Sequence, residues 1–137
     1  MKKYPYNSPQ AMARILIMQM IGDGNFDPSE IDELEHLNVY EIIGISRKDF
    51  IHVLQAYCND LSDEADQDGT IRLIDKQRID DLLETVDDPQ KRLIVAALAL
   101  DISKADHDFS EVEMVVFARL LHRWHLGLED LQAAFSA

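Results

Sequence analysis

A chain of 137 residues, 47% of them hydrophobic, fits one domain with a real core, and only four Pro and five Gly argue against a disordered class. Lys and Arg total 13 against 26 Asp and Glu, and the formal net charge of −13 excludes nucleic acid and anionic membrane surfaces as partners while fitting cations or a basic protein. The one cysteine, Cys58, has no internal partner, and no apolar run reaches the roughly 20 residues that span a bilayer, so the expectation is a soluble cytoplasmic chain without direct membrane insertion.

Lys2 and Lys3 mimic a signal-peptide start, but Arg14 and Gln19 break the apolar stretch that follows and no small-residue cleavage site comes after it. Apolar residues recur at helical spacing nearly throughout, with no sustained alternation of period two. A first helix is predicted from Ser8-Pro9, with Ser as cap and Pro at the first helical position. Its face carries Met12, Ile15, Leu16, Gln19 and Met20, and Gly22 to Gly24 end it. Asp27-Pro28-Ser29-Glu30 opens a second helix whose buried stripe is Ile31, Leu34 and Leu37. Gly44 stops the next segment, and Ser46 with Asp49 opens a helix through Phe50, Val53, Leu54 and Tyr57.

The stretch 59–70 is acidic and apolar-poor, and reads as a loop. A helix with Ile71, Ile74, Ile79, Leu82 and Leu83 follows. Asp88-Pro89 caps the next, which is apolar nearly all round from Leu93 to Leu100 and is therefore expected at the centre of the fold. Ser110-Glu111-Val112-Glu113 is a second capping box, its helix running to about Trp124. Gly127 turns the chain into a short final helix ending near Phe135. The expected fold is all-α, a single domain over 1–137 with about seven helices.

The chain also repeats itself. Asp23-Gly24-Asn25-Phe26-Asp27-Pro28-Ser29-Glu30 recurs as Asp106-His107-Asp108-Phe109-Ser110-Glu111-Val112-Glu113, at an offset of 83 (106 − 23). The offset holds without a gap: Ala13 falls on Ala96, Ile15 on Leu98, Leu37 on Leu120, and Ile43-Gly44-Ile45 on Leu126-Gly127-Leu128. The related halves are about 13–53 and 96–136, with the acidic stretch between them. Each copy sets an Asp and a Glu seven residues apart around an aromatic. Packing about a pseudo-twofold axis would bring four carboxylates, Asp23, Glu30, Asp106 and Glu113, to one place. Such a set suits a hard cation, Ca²⁺ or Mg²⁺ rather than Zn²⁺, with Asp27, His107 and Asp108 as second-choice ligands.

Two Asp-x-x-aromatic-x-x-x-Glu motifs, each after an apolar helix and before an amphipathic one, resemble the TerB-like tellurite-resistance family. The family's motif reads Ala-Asp-Gly-x-(apolar)-x-x-x-Glu. The first copy matches at Asp23, Gly24, Phe26 and Glu30, with Gly22 in place of Ala; the second matches at Ala105, Asp106, Phe109 and Glu113, with His107 in place of Gly. The resemblance covers about Ala13 to Phe135. It implies a compact all-α domain built from a duplicated helical unit and an acidic divalent-cation site. It also implies a role in tellurite or related stress resistance, with protein partners at the inner face of the bacterial membrane.

A competing reading needs no metal. Glu30 and Glu113 stand where capping-box glutamates stand, Asp27 and Ser110 where caps stand, and helix N-termini attract acids unaided. The chain is then a structural or protein-interaction module. A weak calcium-loop match starts at Glu64 and passes Asp66, Asp68 and Gly69 to Asp75, but Glu opens it and Asp closes it, so it reads as a solvated acidic turn. His122 and His125 stand three apart and would share a helix face, half of a zinc site that His36 and His107 would have to complete, but the simpler reading is surface or half-buried histidines near a helix C-terminus, where positive charge is favourable. Met12, Met18 and Met20 read as core filling, and Trp124 as an anchor toward the final helix. No nucleophile elbow, phosphate-binding glycine loop or Cys-His signature is present, so no enzymatic activity is expected. A metal-assisted carboxylate hydrolase is the weaker third option.

Overall fold

The computed structural model describes residues 3–20, 28–68, 76–105, 111–127 and 129–131, with the backbone alone at 28–30, 63–68, 103–105 and 111–113. Seven α-helices are described: α1 (Pro9–Met20), α2 (Pro28–His36), α3 (Val39–Ile43), α4 (Arg47–Asp68), α5 (Lys76–Leu83), α6 (Pro89–Ala105) and α7 (Glu111–Arg123). The chain is helical again at 129–131, and the described residues contain no strand. No helix among them is long and apolar enough to cross a membrane.

Three helix starts follow the capping chemistry of the sequence. Ser8 Oγ accepts the Ala11 amide at 3.1 Å and Ser46 Oγ the Asp49 amide at 3.1 Å. Asp88 Oδ1 takes two of α6's first amides, Gln90 at 2.9 Å and Lys91 at 3.2 Å. Each cap satisfies amides that have no partner inside the helix. Gly44, at φ 78°, ends α3 in the left-handed region while its amide and that of Ile45 both bond to the Tyr40 carbonyl.

The centre of the fold is α1, not α6. Every residue from Ala11 to Met20 is buried, Arg14 and Gln19 included, and α1 packs against α3, α4, α5, α6 and α7. On α6 the buried run is Val95 to Ala99, while Leu93 and Leu100 are half-buried and Ile94 is exposed. The apolar composition of Leu93 to Leu100 overstates its burial because its buried stretch includes all three alanines, while the larger Leu93, Ile94 and Leu100 lie toward its ends and keep exposed surface. Conversely, the buried polar residues Arg14 and Gln19 conceal the central place of α1. The Arg14 guanidinium lies 4.9 Å from the centre of the Tyr4 ring, so its charge is covered by an aromatic face rather than by water.

The acidic stretch 59–70 is not a loop over most of its length, since α4 continues through Asp68. Tyr57 and Leu61 keep α4's apolar stripe attached to the core, one turn apart, and that attachment carries the helix into the acidic run.

Asn7 fastens the start of the chain to the turn before α6. Its amide donates to Thr85 O at 2.8 Å, its side-chain oxygen accepts the amides of Asp87 and Asp88 at 2.9 and 3.0 Å, and its Nδ2 donates to Asp87 Oδ1 at 2.5 Å. Lys91 Nζ adds a bond to the Asn7 carbonyl at 2.9 Å. Asn7 sits at φ 62°, a left-handed backbone that asparagine tolerates. Two losses therefore combine in Asn7→Ala, the side-chain bonds and the tolerated backbone, and it is expected to lower unfolding free energy by about 1–2 kcal/mol in urea titration. Asn7→Gly keeps the backbone freedom and is expected to lose about half as much. Equal losses in the two variants would show that the backbone contributes nothing.

Candidate functional site

Asn7 stands two residues before α1 and bonds to Asp87, Asp88 and Lys91 at the start of α6. The α1 and α6 helices also pack against each other. Met20 is the last residue of α1 and Ala105 the last of α6. These are the residues after which the two motif segments leave the described fold. The helices that resume beyond them, α2 and α7, start at Pro28 and Glu111, 83 residues apart (111 − 28), the offset of the sequence repeat.

Asp23, Asp27, Asp106, His107 and Asp108 lie outside the described residues. Glu30 and Glu113 are each the third residue of their helix, α2 and α7, with the backbone alone described. Among the described side chains, no group of three or more His, Cys, Asp or Glu is placed to hold a metal ion. The two halves differ after the motifs. The segment α2–α3 is broken at Leu37 and Asn38, the latter at φ 58°, whereas α7 runs unbroken through the corresponding positions. The left-handed residue that follows α7 is His125, at φ 53°, two positions before the glycine that matches Gly44.

That turn also removes the proposed histidine pair. His122 is the last residue but one of α7, and His125 lies beyond the helix end, so the two do not share a helical face. His36 is exposed, with Nδ1 2.9 Å from the Asp32 carbonyl; that bond, then the charge of Glu33, pushes the imidazole pKa upward. The calcium-loop match fails on its backbone, because its first five positions, 64–68, belong to α4 rather than to a coiled loop.

Charge chemistry missed by the sequence reading joins α5 to α7. Arg119 holds Asp80 in a two-pronged grip, Nε to Oδ1 at 2.8 Å and Nη2 to Oδ2 at 2.7 Å. One turn on, Arg123 reaches Glu84 at 3.3 Å and lies 3.8 Å from Asp80. The signal was present as two acids four apart, Asp80 on α5 and Glu84 just past its end, and two arginines four apart on α7, a spacing that places each pair on one side. Trp124 is buried beside this ladder, donating from Nε1 to Leu83 O at 3.2 Å, with the Arg92 guanidinium 5.7 Å from its ring centre. Its anchoring partner is thus the end of α5. A second ion-pair set ties α2 to α4: Arg47 donates to Glu35 at 2.7 Å and to Asp32 at 3.1 Å. Met12, Met18 and Met20 are buried in the core. Cys58 is on the outer side of α4, and partial burial of the sulfur pushes its thiol pKa up, the opposite of what an activated nucleophile needs.

No family model matches the chain, and no curated protein or solved structure matches it either.

Proposed function

We propose that this chain is a non-enzymatic, TerB-like helical domain of the cytoplasm that binds a divalent cation through Asp23, Glu30, Asp106 and Glu113. It acts with a protein partner in resistance to tellurite or a related stress. Ca²⁺ or Mg²⁺ suits this donor set better than Zn²⁺, because carboxylate oxygens are hard ligands. The observation that carries the reading is the packing of α1 against α6, two helices whose starts are joined through Asn7 and whose last residues, Met20 and Ala105, each precede one motif. The equal spacing of the α2 and α7 starts supports it further. The tellurite and partner roles rest on the two motifs' resemblance to the family.

Calorimetric titration with Ca²⁺, Mg²⁺, Mn²⁺ and Zn²⁺ tests the cation reading. The wild-type chain is expected to bind, and Asp23→Ala or Asp106→Ala to lose binding. Absence of heat with all four ions overturns it.

One observation favours a second reading, an interaction module without metal. Asp88-Pro89 is a working cap on α6, and Asp27-Pro28 is the same dipeptide at the start of α2. On that reading titration gives no heat, and Glu30→Ala lowers stability by about 1 kcal/mol through loss of the capping arrangement.

A further inference from the structure

We propose that one flank of α4, lined among the described residues by Arg47, Lys48, Ile51, His52 and Gln55, is a docking site for an acidic amphipathic helix of a partner protein. This rests on the partner half of the reading above and not on the cation. The inner face of α4 is spent on the core, through Phe50, Val53, Leu54, Tyr57 and Leu61. On the outer flank Lys48 and His52 stand four apart, as do Ile51 and Gln55, so each pair lies in line along the helix. Lys48, His52 and Gln55 are exposed and Ile51 is half-buried. The groove they line is shallow and open, and the aliphatic stems of Arg47 and Lys48 extend the apolar surface of Ile51.

Charge selects the occupant. The chain has a net charge of −13, yet no acid among the described residues lines this groove. Helical spacing puts Asp49 and Asp60 on the other flank of α4, and the charge of Asp60 acts on Arg14. No ion pair joins Lys48 or His52 to any other described side chain. Lys48 therefore offers an unspent positive charge, and the His52 ring offers an N–H donor one turn on. The fold itself shows how an acidic helix uses such a place. Asp32 and Glu35, three apart on α2, accept bonds from Arg47 at the head of this flank, at 3.1 and 2.7 Å. A partner helix with acids three or four apart repeats that pattern on Lys48 and His52, and sets an apolar residue against Ile51.

An acidic partner meets a chain of the same net sign. At 0.15 M salt the screening length of about 8 Å damps the distant acids more than the close pairs. Positions 47–55 cover only about 12 Å of helix, well short of a standard interface, so the association is weak.

Fluorescence anisotropy tests this with a labelled peptide of about 16 residues, Leu and Glu at helical spacing, titrated with the chain to about 1 mM in 0.15 M salt and EDTA. Binding is expected, weakened about tenfold by Lys48→Glu. Lys3→Glu changes the net charge equally, but Lys3 adjoins Tyr4, whose ring covers Arg14, and binding is expected to hold. An unchanged anisotropy overturns the proposal. So does equal binding of a peptide with Gln for Glu or Ser for Leu, or equal weakening in the two variants. Sedimentation that shows a dimer of the free chain, dissolved by Lys48→Glu, also overturns it, because the occupant is then a second copy. EDTA keeps the two readings apart: the cation reading fails by absent heat with metal ions, this one by absent peptide binding.

Discussion

Leu16→Ala is expected to lower the unfolding free energy by about 2–5 kcal/mol, the largest loss among single truncations considered for this chain. Leu16 has no exposed surface and sits on the helix that touches five others. Truncation there removes the transfer gain of the side chain and leaves a cavity that neighbours on several sides cannot all move to fill. Leu93 on α6 is only half-buried, and Leu93→Ala is expected to cost about 1–2 kcal/mol. Urea titrations of the two variants decide which helix is central. A larger loss at Leu93 than at Leu16 would return that place to α6.

The second large effect is expected at the α5–α7 ladder. Asp80 is 18% exposed and faces both Arg119 and Arg123. Asp80→Asn discards a charged, two-pronged bond and takes the counter-charge from Arg119, while Arg123 keeps Glu84, an expected loss of about 2–3 kcal/mol at pH 7. The effect has a defined pH course. The Arg119 hydrogen bonds, and then its charge with those of Arg123 and Lys76, hold the Asp80 carboxyl below its ordinary 3.8, against the opposing effect of partial burial. The unfolded chain therefore binds the proton more readily than the folded one. The stabilisation is fully present above the unfolded value and is lost as pH falls through the folded one. The difference between wild type and Asp80→Asn is expected to be constant from pH 7 to about pH 5 and to shrink below about pH 4. A difference that stays unchanged down to pH 2 would mean that the carboxylate charge contributes nothing.

Helix starts were legible in the sequence because their chemistry is local. Ser8, Ser46 and Asp88 each reach amides two or three residues away, and no distant contact is needed to choose them. The all-α class was legible for the same reason. The extent of α4 was not. Asn59 to Asp68 carries five acids and one leucine, and its helicity depends on an attachment made upstream by Tyr57 and Leu61. The place of α1 was hidden because composition counts Arg14 as polar, while the fold covers it with Tyr4. Asn7 carried no signal as a fastening, because its bonds span some 80 residues of chain. Of the candidate cation site, the sequence supplied the seven residues and the spacing. Asp23, Asp27, Asp106, His107 and Asp108 fall outside the described residues, so their geometry belongs to the titration experiment rather than to the fold.

The fastening at Asn7 joins the start of the chain to residues some 80 positions further on, where α1 and α6 also pack against each other. Closing so long a span costs chain entropy that a helix cap never meets, because a cap bonds only two or three residues away. The tie is therefore a late event in folding, made once the packing of the two helices has brought its ends within reach.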